Sequence, residues 1–195
     1  MLFRSFMRRF ALTLLASSAL AMGTAHAATY NIDPTHTFIT FEAMHFGTST
    51  NRGRFDKKEG VVEFDRAGKT GKVNLTIQAD SINTGTEAFN AHLKKPDFFD
   101  AAKHPTMTFS ADKFSFNGDK VSEVNGQLTM LGKTLPVTLK ASNFNCYDHP
   151  MLKREVCGGD FETTITRSQW GMTWGIDFGI PDKVKLLIQV EAVKQ

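Results

Sequence analysis

Residues 83–109 read NTGTEAFNAHLKKPDFFDAAKHPTMTF. On either side of this stretch the chain alternates apolar and polar residues; here the alternation stops. Residues 86–95 carry the good helix formers Glu87, Ala88, Ala91, Leu93, Lys94 and Lys95. Phe89 and Leu93 stand four apart and share a helix face. Gly85 marks the beginning and Pro96 the end. A short turn, Asp97-Phe98-Phe99-Asp100, follows, and His104-Pro105 restarts an extended run. The stretch is too apolar for a solvated loop and too short for a domain. The spacing predicts a helix over 86–95 that plugs one end of an all-β core. If that core is hollow, the helix also shuts one end of a ligand cavity.

Outward from this plug, everything reads as strands. Residues 37–46 form the first, with Ile39, Phe41, Ala43 and His45 on one face. Residues 52–65 form a long second strand, bent at 57–60 by a bulge. Residues 72–80 put Val73, Leu75, Ile77 and Ala79 inward. After the helix come strands at 106–116, 121–130, 134–145, 160–167 and 183–193. Alternation with one polar face implies an antiparallel sheet solvated on one side. Eight such strands close into a barrel, which removes the edges that invite aggregation. The fold class is therefore all-β: an eight-stranded antiparallel barrel capped by one short helical insertion. A β-sandwich is the alternative.

The order of short motifs adds a resemblance. Ser81, Ile82, Asn83, Thr84 and Gly85 are followed by His92-Leu93, by Asp97-Phe98-Phe99-Asp100, and by His104-Pro105 with Phe109. Ile32-Asp33 with His36, Phe41 and His45 precedes them, as do Gly53-Arg54-Phe55 and Phe64-Asp65. Gly126 to Thr129, Leu131 to Thr134 and Pro136 to Leu139 come after, then Ile165-Thr166-Arg167 with Trp170-Gly171. This pattern resembles the YceI-like polyisoprenoid-binding family, and it covers the chain after residue 28. The resemblance implies a lipocalin-like barrel that holds a polyisoprenoid or similar amphiphile, such as a quinone or polyprenyl lipid.

Residues 1–27 read as a cleaved signal peptide: Arg4, Arg8 and Arg9 in a basic start, an apolar core, and Ala25-His26-Ala27 as the processing site. The expected mature domain is 28–195, and the expected compartment is a bacterial periplasm. The formal net charge of +3 comes from those three arginines; setting them aside leaves 20 basic side chains against 20 acidic ones. Such a balance gives no case for nucleic acid or an anionic membrane surface. No stable membrane insertion is expected after cleavage. A homodimer stays open. In an exported chain, Cys146 and Cys157, the only cysteines, are expected to form a structural disulfide across the turn-rich stretch between them.

Catalytic chemistry finds little footing. His36 and His45 are nine apart, and His92, His104 and His149 are scattered, with no metal-ligand spacing among them. There is no G-x-S-x-G elbow and no Gly-rich phosphate loop. The expectation is a binding protein with no metal and no cofactor. Of the 17 phenylalanines, Phe3, Phe6 and Phe10 lie in the leader, leaving 14 for the domain. Plain core packing accounts for many; a lining for a long apolar chain uses them equally well. The candidate lining is Phe41 and Ala43 on the first strand, Phe55 on the second, and Leu75 and Ile77 on the third. Phe89 of the helix joins them, with Phe109, Leu128, Leu139, Ile165 and Ile188 from later strands. His45 and Arg167 are the candidate polar contacts. Arg167 shares the inward phase of Ile165, and a buried charge needs partners. Those are expected to be Asp33 or Asp100, or else the polar head of a ligand.

Overall fold

The computed structural model describes residues 27–195; the leader expected at 1–27 lies outside them, apart from Ala27. The strands are β1 (Ala28–Ile32), β2 (Phe38–His45), β3 (Ser49–Phe55), β4 (Lys58–Asp65), β5 (Thr70–Gln78) and β6 (Ile82–Asn83). After the helix α1 (Glu87–Leu93) come β7 (Thr106–Asn117), β8 (Lys120–Met130), β9 (Lys133–Asp148), β10 (Glu155–Thr166) and β11 (Lys183–Lys194). All neighbours pair antiparallel, and the ring closes where β1 meets both β4 and β11. Three barrel strands are broken in two: β1 with β2, β3 with β4, and β5 with β6. The result is the expected eight-stranded closed barrel, capped by one helix.

The breaks have local causes. Pro34 has no backbone N–H to give to a ladder, so β1 stops at Ile32 and β2 begins at Phe38. Thr37, fully buried, mends the gap: its hydroxyl donates to the carbonyl of Glu191 at 3.2 Å and accepts from the Glu191 N–H at 3.3 Å. β11 thus passes from β2 at its start to β1 at its end without an orphaned group. The bend of the second barrel strand falls at Asp56 and Lys57, one step before the expected 57–60 bulge. Gly60 sits inside β4, paired with Leu75.

Three real bulges lie elsewhere. Ser122 is extra where Ser115 and Phe116 pair with Glu123 and Val121; the other two re-aim aromatic residues. Asp112 is extra between the paired residues Ala111 and Lys113, and Ser142 is extra where Asp160 and Phe161 pair with Asn143 and Ala141. Each reverses the in–out phase of its strand. Phe114 and Phe116 therefore turn inward after Met107 and Phe109, and Phe144 turns inward after Leu139 and Ala141. Both bulges serve the end of the barrel opposite α1, which becomes packed with aromatic rings.

The disulfide joins Cys146 and Cys157 as expected. The two are register partners inside a hairpin whose strands run on to Asp148 and from Glu155. The connection expected to be a turn-rich loop is a turn over residues 149–154, with 147–148 and 155–156 continuing the two strands beyond the cysteines.

Two chambers inside the barrel

The interior is divided into two apolar chambers along the barrel axis. The upper one, beneath α1, has a volume of about 280 Å³, and the lower one about 110 Å³. The division falls at one level around the ring. On β5 it lies between Leu75 below and Ile77 above, and on β7 between Phe109 below and Met107 above. On β8 it separates Val124 from Leu128, and on β11 Ile188 from Leu186. Ile188 pairs with Ile39, so the boundary also passes between β11 and β2.

The insertion 83–109 is the roof. Asn83 Nδ2 donates to Asp56 Oδ2 at 2.8 Å, and Asn90 Oδ1 accepts from both the N–H (2.7 Å) and the hydroxyl (2.8 Å) of Thr84. These bonds tie the helix to the strand ends. The main chain then folds back, Phe99 N–H to Leu93 O at 3.0 Å and His104 N–H to Asp100 O at 2.8 Å. That folding turns Leu93, Phe98 and Phe99 into the upper chamber beside Phe89. Phe99 meets Phe55 edge-on at 5.3 Å between ring centres.

The facing wall is the segment 167–182, and Arg167 builds it. The residue is buried, in a 3-10 turn just past the end of β10. Its Nε donates to Pro181 O (3.0 Å), Nη1 to Met172 O (3.0 Å), and Nη2 to Trp174 O (2.8 Å) and Ile180 O (3.5 Å). Neither Asp33 nor Asp100 is its partner, contrary to expectation: carbonyls of its own loop take the guanidinium. Burial lowers its pKa, while the charge of Asp182 acts the other way. Asp182 is held by Ser168, whose N–H and hydroxyl donate to its two oxygens at 2.8 and 2.6 Å.

The loop so held presents Trp174 to the roof. Its ring lies 5.4 Å from that of His92 and 5.2 Å from that of Phe98. Met44, Phe46, Trp174 and Phe178 are exposed large apolar residues. Met44, His45 and Trp174 also line the upper chamber, so its mouth lies between the β2–β3 hairpin and this loop. His45 is exposed, with its ring 4.7 Å from Phe46.

Each residue nominated from the sequence adjoins one chamber or the other. Phe41, Ala43, His45, Phe55, Ile77, Phe89, Leu128, Ile165 and Arg167 border the upper, and Leu75, Phe109, Leu139 and Ile188 the lower. Cys146, Glu155 and Cys157 bring metal-ligating atom types together, but the sulfurs are bonded to each other, and Glu155 accepts from Tyr30, Arg66 and Lys194.

A barrel with a helix over its mouth and carbon-lined chambers inside can be compared with known proteins. The profile of the YceI-like domain matches residues 30–192. The chain belongs to the YceI-like family. A UPF0312 protein of Pseudomonas aeruginosa (strain LESB58) is 34% identical over 185 residues, covering 93% of this chain and 95% of that protein. The crystal structure of the Campylobacter jejuni YCEI protein is 29% identical with a TM-score of 0.67, over 78% of this chain and 90% of that one. A polyisoprenoid binding domain from Saccharophagus degradans shares the fold at 16% identity, with a TM-score of 0.63 over 87% of this chain and all of that one.

Several residues of this YceI-like interior escaped the sequence reading. Met107, Met130, Met172 and Met44 all line the upper chamber, as do Trp174 and Ile180. Met107 and Met130 keep the inward phase of Phe109 and Leu128, and that signal was available. Met172, Trp174 and Ile180 sit in a loop that does not alternate, and only the carbonyl contacts of Arg167 place them.

Proposed function

We propose that this protein is a periplasmic carrier that holds an apolar isoprenoid-type lipid inside its barrel, with the tail in the chambers and any polar head at the mouth. The observation that carries the reading is the pair of chambers in series. The lower one is bordered by hydrocarbon, with the hydroxyls of Tyr30 and Thr37 already engaged by Glu155 and Glu191. Every polar side chain bordering the upper one, among them His45, His92 and Arg167, belongs to its mouth or wall. An engineered apolar cavity of ~150 Å³ binds benzene; the upper chamber exceeds that. The polyisoprenoid binding domain among the structural neighbours supports the same ligand class. The sparse, dispersed polar groups favour binding over catalysis, since catalysis needs convergent ones. The basic and apolar pattern of residues 1–27 supports export.

The test is solvent extraction of the protein purified from a periplasm, followed by mass spectrometry. A stoichiometric isoprenoid lipid is expected. Adding it back to the stripped protein at a hundred times its Kd should stabilise the fold by about 2.7 kcal/mol. Stripped protein whose melting temperature is indifferent to isoprenoid chains overturns the reading.

A further inference from the structure

The two chambers are built from different materials. Four methionines border the upper one, Met44, Met107, Met130 and Met172, along with loop residues. Methionine side chains are flexible and repack around different shapes. The lower chamber has no methionine; its rings include Phe64, Phe114, Phe144 and Phe161, set among β-branched residues. Aromatic and β-branched side chains have few accessible rotamers. Rings and β-branched residues line the upper chamber too, Phe41, Phe55 and Phe99 among them, but only its wall has methionines that can repack around different tails.

Aromatic rings also crowd the far end. Phe64 is the hub of its floor: its ring lies 6.3 Å from Tyr30, 5.6 Å from Phe144 and 6.1 Å from Phe116, stacked on the last. Phe64, Tyr30 and Phe144 are buried, and Val121 of the same cluster is buried too. Tyr30 is locked from outside by a 2.5 Å hydrogen bond to Glu155, which also accepts from Arg66 and Lys194. The two bulges at Asp112 and Ser142 aim Phe114 and Phe144 at this space, so the narrowing is built into the strands.

We infer that the lower chamber, floored by Phe64 and Phe144, is a stop that sets the chain length of the ligand. The inference rests on the lipid-carrier reading and adds to it a size limit. A tail entering from the mouth fills the upper chamber first. The lower one, smaller than the ~150 Å³ that takes benzene, accepts about one more five-carbon unit. The upper chamber is between two and three times as large. The two together suit about three to four isoprene units. Units beyond that number stay at the mouth in water and add no affinity.

The experiment titrates the stripped protein with all-trans polyprenyl alcohols of increasing length. Affinity is expected to climb at least about tenfold per unit, as each buries its carbons, and then to level off. Two variants move the stop in opposite directions. Val190→Phe puts a ring into the lower chamber and should bring the plateau about one unit earlier. Phe144→Leu opens the floor and should delay it by a similar step. Plateaus at the same length in all three proteins overturn the stop while leaving the carrier reading intact. No binding of any alcohol by the wild type overturns both. Circular dichroism checks that each variant is folded, and a shift in either folded variant in the stated direction supports the stop.

Discussion

The ring of Phe41 lies on the backbone of Gly53, its register partner across β2 and β3. A β-carbon at position 53 would meet the ring's Cε1 at 2.6 Å and Thr84 Cγ2 at 3.0 Å. Phe41 is therefore supported from behind by a residue with no side chain, while its other flank borders the upper chamber.

Gly53→Ala should push the Phe41 ring off its seat and into the chamber. The expected loss is about 1–3 kcal/mol of stability, as for other overpacked sites, with weaker lipid binding. Pairing it with Phe41→Leu should recover part of both, and a double-mutant cycle measures the coupling. Phe41→Ala alone should cost the stripped protein less than the roughly 3–5 kcal/mol of a ring packed on all sides. A full packing loss with unchanged lipid affinity would place Phe41 in a solid core.

Arg167→Met leaves four loop carbonyls without their donor. Each hydrogen bond to a charged group is worth about 1.5–3 kcal/mol, and water replaces some of them at the loop surface. A net loss of about 2–4 kcal/mol is expected by urea unfolding. Hydrogen exchange should quicken selectively between residues 171 and 182. Uniform exchange throughout the barrel would mean that Arg167 supports the core and has no special hold on this wall.

Reduction of Cys146–Cys157 should lower stability by about 3 kcal/mol, given a sequence separation of 11 residues. Peptide mapping without reductant should find the two linked in periplasm-purified protein. Because the bond spans paired strands, the Cys146→Ser, Cys157→Ser protein should keep its strand content by circular dichroism and melt earlier.

Asp33 and His36 make a pH-dependent clasp where β1 breaks from β2, with Asp33 Oδ2 2.8 Å from His36 Nδ1. Burial pushes the Asp33 carboxyl up, but hydrogen bonds from Thr35 and His36 outweigh it and hold the group at about 2. The hydrogen bond to Asp33 raises His36 above its ordinary 6.5. A depressed carboxyl stabilises above its unfolded value of 3.8 and loses that as pH falls toward 2; a raised imidazole stabilises below 6.5 and loses that as pH rises through its folded value. The clasp should contribute most between pH 3.8 and 6.5. Urea midpoints of the wild type and His36→Gln should differ most near the middle of that window and converge at either extreme. A gap that is constant with pH would rule out titration as its source.

Much of the barrel could be read from the sequence because two-residue alternation is a direct record of facing. The phase of Ile39, Phe41 and Ala43, and of Leu75 and Ile77, carried over unchanged. β1 escaped notice because five residues before Pro34 are too few to establish a period. The inward turn of Phe114 and Phe144 was hidden by the bulges, since a single extra residue reverses phase and leaves no compositional mark. The partners of Arg167 were beyond reach for a different reason: every residue has a carbonyl, and only the folded path of 171–182 decides which of them converge. The division into two chambers depends on how far each side chain extends at one level of the barrel, and no spacing rule encodes that.

The ring is closed by its first and last strands, Tyr30 beside Lys194 and Ile32 beside Ala192. Contacts so distant in sequence form late, because the entropy of the intervening chain must be overcome before they reward it. A chain delivered amino end first therefore waits with β1 and β2 unpaired along one side until the twelve residues of β11 arrive. Enclosure is a property of the finished polypeptide: any truncation before residue 183 leaves an open sheet with bare edges on both sides, and has no inside for a hydrophobic guest to occupy.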